Sequence, residues 1–145
     1  MKYIKLLSLV LISLLVFTGC KDGGKKKDSV VGEWELITWN EETPEFGIYI
    51  SFAADGSFAI YQQVWSLEYE LFTGNYSVSG DTVKGSYEDG TPWASEYKFA
   101  RSKDTLTLIN NDKVEIKSVY KSCTIPEDVI SEATTTRSAE VVPFL

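Results

Sequence analysis

The sequence predicts an all-β protein: an antiparallel up-and-down meander of about eight strands that closes into a small barrel, followed by a short C-terminal helix or tail. Three observations carry this prediction. From Val30 onward, short runs alternate apolar and polar residues at a period of two, the spacing that sends successive side chains to opposite faces of a strand. Turn residues separate these runs at intervals of roughly 8 to 12 positions, as in sandwiches and barrels. Consecutive strands also leave two unpaired edges, and pairing the first strand with the last removes both. A partly open, strongly curved meander is the alternative.

Residues 1–20 stand apart from this pattern. Lys2 and Lys5 give a short positive start, and Leu6 to Phe17 is an apolar run relieved only by Ser8 and Ser13. A membrane-spanning helix needs about 20 apolar residues, so the run reads as an export signal. Its end, Phe17-Thr18-Gly19-Cys20, resembles a bacterial lipoprotein lipobox. The resemblance implies that the Cys20 thiol takes a diacylglyceryl group, that the bond after Gly19 is cut, and that Cys20 becomes an acylated first residue. An ordinary secretory signal with an incidental cysteine is the other reading. Each buried acyl methylene contributes about 0.8 kcal/mol, so several chains on one residue hold a small domain at a membrane. The expected location is therefore the bacterial cell envelope, lipid-anchored and at the outer membrane, with the periplasmic or surface face left open.

Residues 21–29, Lys-Asp-Gly-Gly-Lys-Lys-Lys-Asp-Ser, contain nothing apolar to bury and form a flexible linker. From Ser29 onward the chain holds 8 basic and 19 acidic residues, a net charge of −11. So acidic a body offers no basic footprint to a phosphate backbone, which argues against nucleic acid as a partner.

Residues 30–123 supply the barrel. Val30 to Trp39 is the first strand. Phe46 to Ala53 is the second, with Phe46, Ile48, Ile50 and Phe52 on one face and Gly47, Tyr49 and Ser51 on the other. Ala54-Asp55-Gly56-Ser57 signals a hairpin, and the third strand runs from Phe58 towards Trp65. There the apolar phase shifts, from Phe58, Ile60 and Val64 to Trp65, Leu67, Tyr69 and Leu71, which predicts a bulge or break between about Gln62 and Ser66. The remaining strands are expected from about Leu67 to Val78, Thr82 to Tyr87, Trp93 to Ala100, Thr105 to Ile109 and Lys113 to Cys123. Strands this short make a squat barrel whose narrow interior its own aromatic side chains can fill.

Gly32-Glu33-Trp34, the Phe-rich second strand, Ala54-Asp55-Gly56-Ser57-Phe58 and Gly74-Asn75-Tyr76-Ser77-Val78-Ser79-Gly80-Asp81 resemble the small lipocalin-like lipoproteins of Bacteroides and related bacteria. The resemblance implies a lipocalin-like barrel in which Gly32 and Trp34 close one end. It also implies a basic side chain from the last strand over Trp34, and Lys117 or Lys121 would have to serve.

Residues 124–145 make the C-terminal region. Thr124-Ile125-Pro126-Glu127 fits a capping box before a short helix to about Ala133. Val141 to Leu145 ends the sequence on apolar residues, either as a frayed tail or packed across a barrel mouth.

Candidate chemistry is sparse. The chain has no histidine, the commonest general base at neutral pH and the commonest zinc ligand, and its Asp-Gly turns lack the ligand density of a calcium loop. No catalytic residue, metal ligand or cofactor is assigned. Cys123 reads as a small apolar filler or as half of an intermolecular disulfide. Glu68 and Glu70 share one face of a predicted strand, but paired acids act on glycosides only when suitably spaced and desolvated, and exposed strand carboxylates are far commoner.

Aromatic residues, 13% of the chain, carry the binding argument. Trp39, Tyr61 and Trp65 are the candidate ligand-binding residues, rings with a polar tip that suit a sugar face or an amphipathic molecule. The expected partners are a membrane, through the lipid on Cys20, and a small hydrophobic ligand, a glycan or an envelope protein. A structural or protein-interaction module with no small-molecule ligand is the alternative.

Overall fold

The computed structural model describes residues 29–135 and 141–145. The export signal, Cys20 with its expected lipid, and the linker up to Asp28 lie outside the described residues.

Eight strands follow one another: β1 (Gly32–Trp39), β2 (Gly47–Phe52), β3 (Ser57–Gln63), β4 (Glu70–Ser79), β5 (Thr82–Tyr87), β6 (Tyr97–Ser102), β7 (Thr105–Asn110) and β8 (Lys117–Ser122). Each pairs antiparallel with its neighbour in sequence, and β1 pairs with β8 from Trp34↔Ser122 to Trp39↔Ser118, so the sheet closes. β4 is long enough to serve two partners at a stagger, β3 through residues 70–75 and β5 through residues 74–79. The shortest seam among these eight strands is β5–β6, where only Thr82↔Lys98 and Val83↔Tyr97 face each other.

Alternation puts Trp34 and Leu36, Ile48, Ile50 and Phe52, and Phe58 and Ile60 inside, together with Val83, Tyr87, Phe99, Leu106, Leu108 and Tyr120. The barrel is thus filled by its own side chains, as its strand number dictates. Aromatic rings interlock in edge-to-face pairs, including Phe52 with Tyr76 at 5.0 Å between centroids and Phe58 with Trp93 at 5.1 Å.

The predicted break after β3 is present, because β3 stops at Gln63 and residues 64–69 bend before β4 starts at Glu70. Besides β4, two strands begin four residues later than expected. β6 starts at Tyr97, because Trp93 belongs to the preceding connection and folds inward to 5% exposure, its amide donating to the Gly85 carbonyl at 2.9 Å. Gly85 makes room for this ring, since a Cβ there would sit 2.5 Å from the indole. β8 starts at Lys117, because Asn110 Oδ1 takes the Ile116 amide (2.7 Å) and extends the turn.

After β8 the chain leaves the barrel's rim and crosses its outer wall. The Cys123 amide donates to the Glu33 carbonyl and the Ile125 amide to Glu33 Oε2, both at 3.0 Å. Helix α1 (Glu127–Glu132) follows, and β9 (Thr134–Thr135) then lies parallel to the start of β4. Ile125 and Val129 are buried here, apart from the barrel core. The capping box does not form: Pro126, at φ −58° and ψ 140°, takes the cap position and no side chain caps the helix. Docking on Glu33 and the fixed φ of Pro126 start the helix beyond the reach of Thr124.

Candidate binding site at the barrel mouth

The two ends of the barrel differ. At the base, Trp34 is fully buried and its Nε1 donates to the Val30 carbonyl at 2.8 Å. Gly32 carries a φ of +144°, which favours glycine, and a Cβ there would meet the indole at 3.4 Å. The basic cover on this ring is Arg101, its guanidinium carbon 4.9 Å from the ring centroid, and not Lys117 or Lys121. Arg101 Nη1 also donates to the carbonyls of Ser29 (3.0 Å) and Val31 (2.9 Å), which ties the entering chain to the base. Pairing explains the substitution. Ser102↔Thr105 and Thr105↔Lys121 bring the end of β6 to the level of the start of β1, while Lys117 sits at the other end and Lys121 is exposed.

The mouth is the end where β1 finishes, β2 begins and β3 finishes. Asn40 and Glu41, both at positive φ, turn the chain tightly between Trp39 and Glu42. This places Trp39, 38% exposed, against Phe46 with 5.6 Å between ring centroids. Residues 141–145 enter here. Phe144 packs against Phe46 (5.9 Å) and Trp39 (6.3 Å), and Leu145 reaches the core, where its carbonyl accepts the Tyr87 hydroxyl at 2.6 Å. Between these contacts lies Gln62, fully buried. Its Nε2 donates to the Val142 carbonyl (3.1 Å) and its Oε1 accepts the Phe144 amide (2.8 Å).

Of the three aromatic residues picked out for ligand binding, the fold brings two together. Trp65, on the β3–β4 connection, reaches the same segment with Nε1 3.4 Å from the Val142 carbonyl, and 68% of it remains exposed. Tyr61 lies elsewhere. It alternates with the buried Ile60 and Gln62 and pairs with Tyr49, so it faces outward. Gln62 was missed by sequence reasoning, although a polar residue in phase with Phe58 and Ile60 was its signal.

The paired acids separate. Glu68 lies in the exposed connection before β4, whereas Glu70 is 6% exposed and stands opposite Gln62. Glu70 Oε2 has no hydrogen-bond partner among the described residues. Cys123 is not poised for nucleophilic chemistry, since desolvation, then the charges of Glu35 and Glu33, push its thiol up to about 11. Desolvation likewise raises Tyr87 and Tyr120 well above the ordinary tyrosine range and Tyr97 to about 12. All three hydroxyls therefore stay protonated and neutral inside the barrel. Two shallow clefts mark the outer surface, about 290 Å³ beside Pro44 and Tyr49 and about 380 Å³ beside Ala53 and Thr73. Neither is lined by Gln62, Tyr87 or Leu145.

The family model described as a lipocalin-like domain matches residues 30–108. Among solved structures, a lipocalin-like protein from Bacteroides uniformis is similar at 20% identity, with a TM-score of 0.51, over 64% of this chain and 97% of that one. An uncharacterized protein from Bacteroides eggerthii aligns at 18% identity, with a TM-score of 0.47, over 66% of this chain and all of that one. No curated protein matches significantly. The family match stops before β8 and the segment that fills the mouth, yet it takes in more than half of a chain whose barrel is closed. This protein therefore belongs to the lipocalin-like domain family.

Proposed function

We propose that this chain is a binding protein of the bacterial cell envelope, anchored by a lipid on Cys20, that holds a small hydrophobic or amphipathic ligand or a sugar at its barrel mouth. One observation carries the reading: at one end of the barrel, around the segment 141–145 that covers it, Trp39 and Trp65 keep large exposed areas above the inward polar groups of Gln62 and Glu70. Apolar rings with a few convergent polar groups make a ligand site. Here the aromatic faces take the apolar part, and where residues 142–145 give way the Gln62 amide and the Glu70 carboxylate orient the polar part. Binding, not catalysis, fits a mouth where the buried Glu70 is separated from the exposed Glu68 and where the Tyr87 hydroxyl stays protonated.

The test is a thermal-shift and tryptophan-fluorescence titration of the purified barrel against amphipathic metabolites and oligosaccharides. A ligand should raise the midpoint and quench the indoles, and Trp39→Ala with Trp65→Ala should remove the rise in midpoint, measured against the variant's own unliganded melt, which the lost Trp39 contacts lower. A ligand that binds the double variant as well as the parent places the site elsewhere.

A further inference from the structure

Residues 142–145 are not packed on the mouth as an apolar plug alone. Their backbone is read. Gln62 offers one donor and one acceptor on a single rigid carboxamide, and they take the carbonyl of Val142 and the amide of Phe144. Those two groups flank one residue of an extended segment, the pair that a neighbouring parallel strand would engage. The intervening Pro143 lacks an amide hydrogen, and the pattern does not need one. Tyr87 takes the carbonyl of Leu145, three residues on from that of Val142, while Phe144 occupies the aromatic notch of Trp39 and Phe46 and Leu145 is buried to 2% exposure. Backbone groups held by fixed polar side chains, with alternate side chains in pockets, are the elements of peptide recognition by strand addition.

A second observation points the same way. Glu70, 94% buried and directly across from Gln62, leaves Oε2 without a partner among the described residues. A buried carboxylate oxygen with no donor is costly, so the mouth holds an acceptor that, among the described residues, the segment 141–145 leaves unused.

Resting on the reading of the mouth as the binding site, we propose that its ligand class is an extended apolar peptide, and that residues 142–145 occupy the cleft in cis as a displaceable stand-in for it. An outside peptide binds by replacing this segment, taking the Gln62 amide and the Trp39–Phe46 notch in the same register.

The experiment uses the full chain carrying Phe144→Ser and Leu145→Ser, which loosens the segment without touching the barrel wall. The probe is the peptide Val-Val-Pro-Phe-Leu, blocked at both ends and followed by tryptophan fluorescence. It should bind the loosened chain saturably and bind the parent about tenfold or more weakly, because the parent's own segment competes. The same peptide with N-methylated Phe, which deletes the donor that Gln62 accepts, should lose about tenfold, as should Gln62→Leu in the loosened chain. Equal binding of the methylated and unmethylated peptides overturns the proposal, as does no binding to a folded, loosened chain. If the loosened chain does not fold, hydrogen exchange on the parent decides: the Phe144 amide must exchange faster as peptide is added, and an unchanged rate at saturating peptide overturns it. If small amphipathic ligands quench Trp39 and Trp65 while the peptide fails, the mouth survives as a site and only the peptide assignment falls.

Discussion

Replacing Arg101 with Met isolates the closure of the barrel base. Arg101 donates to two carbonyls, those of Ser29 and Val31, and lies over the Trp34 ring. Hydrogen bonds from a charged donor are worth about 1.5–3 kcal/mol each, and a cation over an indole about 0.5–2 kcal/mol. The side chain is half-buried, so solvent screening and the relief of desolvating a charge remove a good part of that sum. Met also restores about 0.3–1.5 kcal/mol of sulfur contact with the indole. The expected net cost is about 2 kcal/mol, a fall in midpoint of roughly 10 °C for a domain of this size. Urea denaturation measures the loss, and near-ultraviolet circular dichroism reports whether Trp34 keeps its fixed environment. Lys121→Met, in parallel, should change stability by less than about 0.5 kcal/mol, as surface substitutions do. The reasoning fails if the Arg101 variant melts with the parent, or if the Lys121 variant costs as much.

Four further outcomes follow from the geometry. Gly85→Ala should destabilise the barrel by about 1–3 kcal/mol, because the added carbon meets the buried Trp93 ring, and an unchanged urea midpoint would contradict that packing. Glu41→Gly should stabilise by about 0.5–1 kcal/mol, since Glu41 holds φ at +71°, and a lower melting temperature would refute it. Cys123, raised from 9.0 to about 11, and Tyr97, raised from 10.0 to about 12, keep their protons longer folded than unfolded. Their contribution is complete below pH 9 and is lost as pH rises through 11 to 12, so melting temperature should fall over that window; tyrosine absorbance titrating entirely near pH 10 in a folded sample would refute this. Cys20→Ser should abolish labelling by radioactive palmitate and release the protein from the membrane fraction, and persistent labelling would exclude Cys20 as the acylated residue.

Much of the fold was readable because its signals are local. Period-two alternation in Phe46 to Phe52 and the Asp55-Gly56 turn need only their own neighbours, and Asp55 does take the Ser57 amide at 2.9 Å. Stagger is not local, and most misreadings trace to it. Which hairpin reaches the level of Trp34 depends on offsets accumulated around the ring, so the cover came from β6 when the last strand was expected. Trp93 was misread because its hydrophobicity suits a strand and a buried connection equally, and only the vacancy above Gly85 decides between them. Parity with Ile60 rightly sends Tyr61 off the core face, but that face is the outer wall beside Tyr49 and not the mouth where Trp39 and Trp65 lie. The mouth was half legible: the apolar character of residues 141–145 was plain, but no local pattern ties Phe144 to a glutamine 82 positions earlier.

The clamp of Arg101 on Ser29 and Val31 gives the molecule a polarity with respect to any surface it is tied to. The chain enters at the end sealed by Trp34, opposite the end where Trp39 and Gln62 lie. Only eight residues separate Ser29 from Cys20, a tether of at most about 30 Å. With the lipid proposed on Cys20, the attachment lies at the sealed end, and the opening is the end that the tether holds less closely to the bilayer. A solute or a protruding chain from the aqueous side then meets the opening without first passing the anchored base.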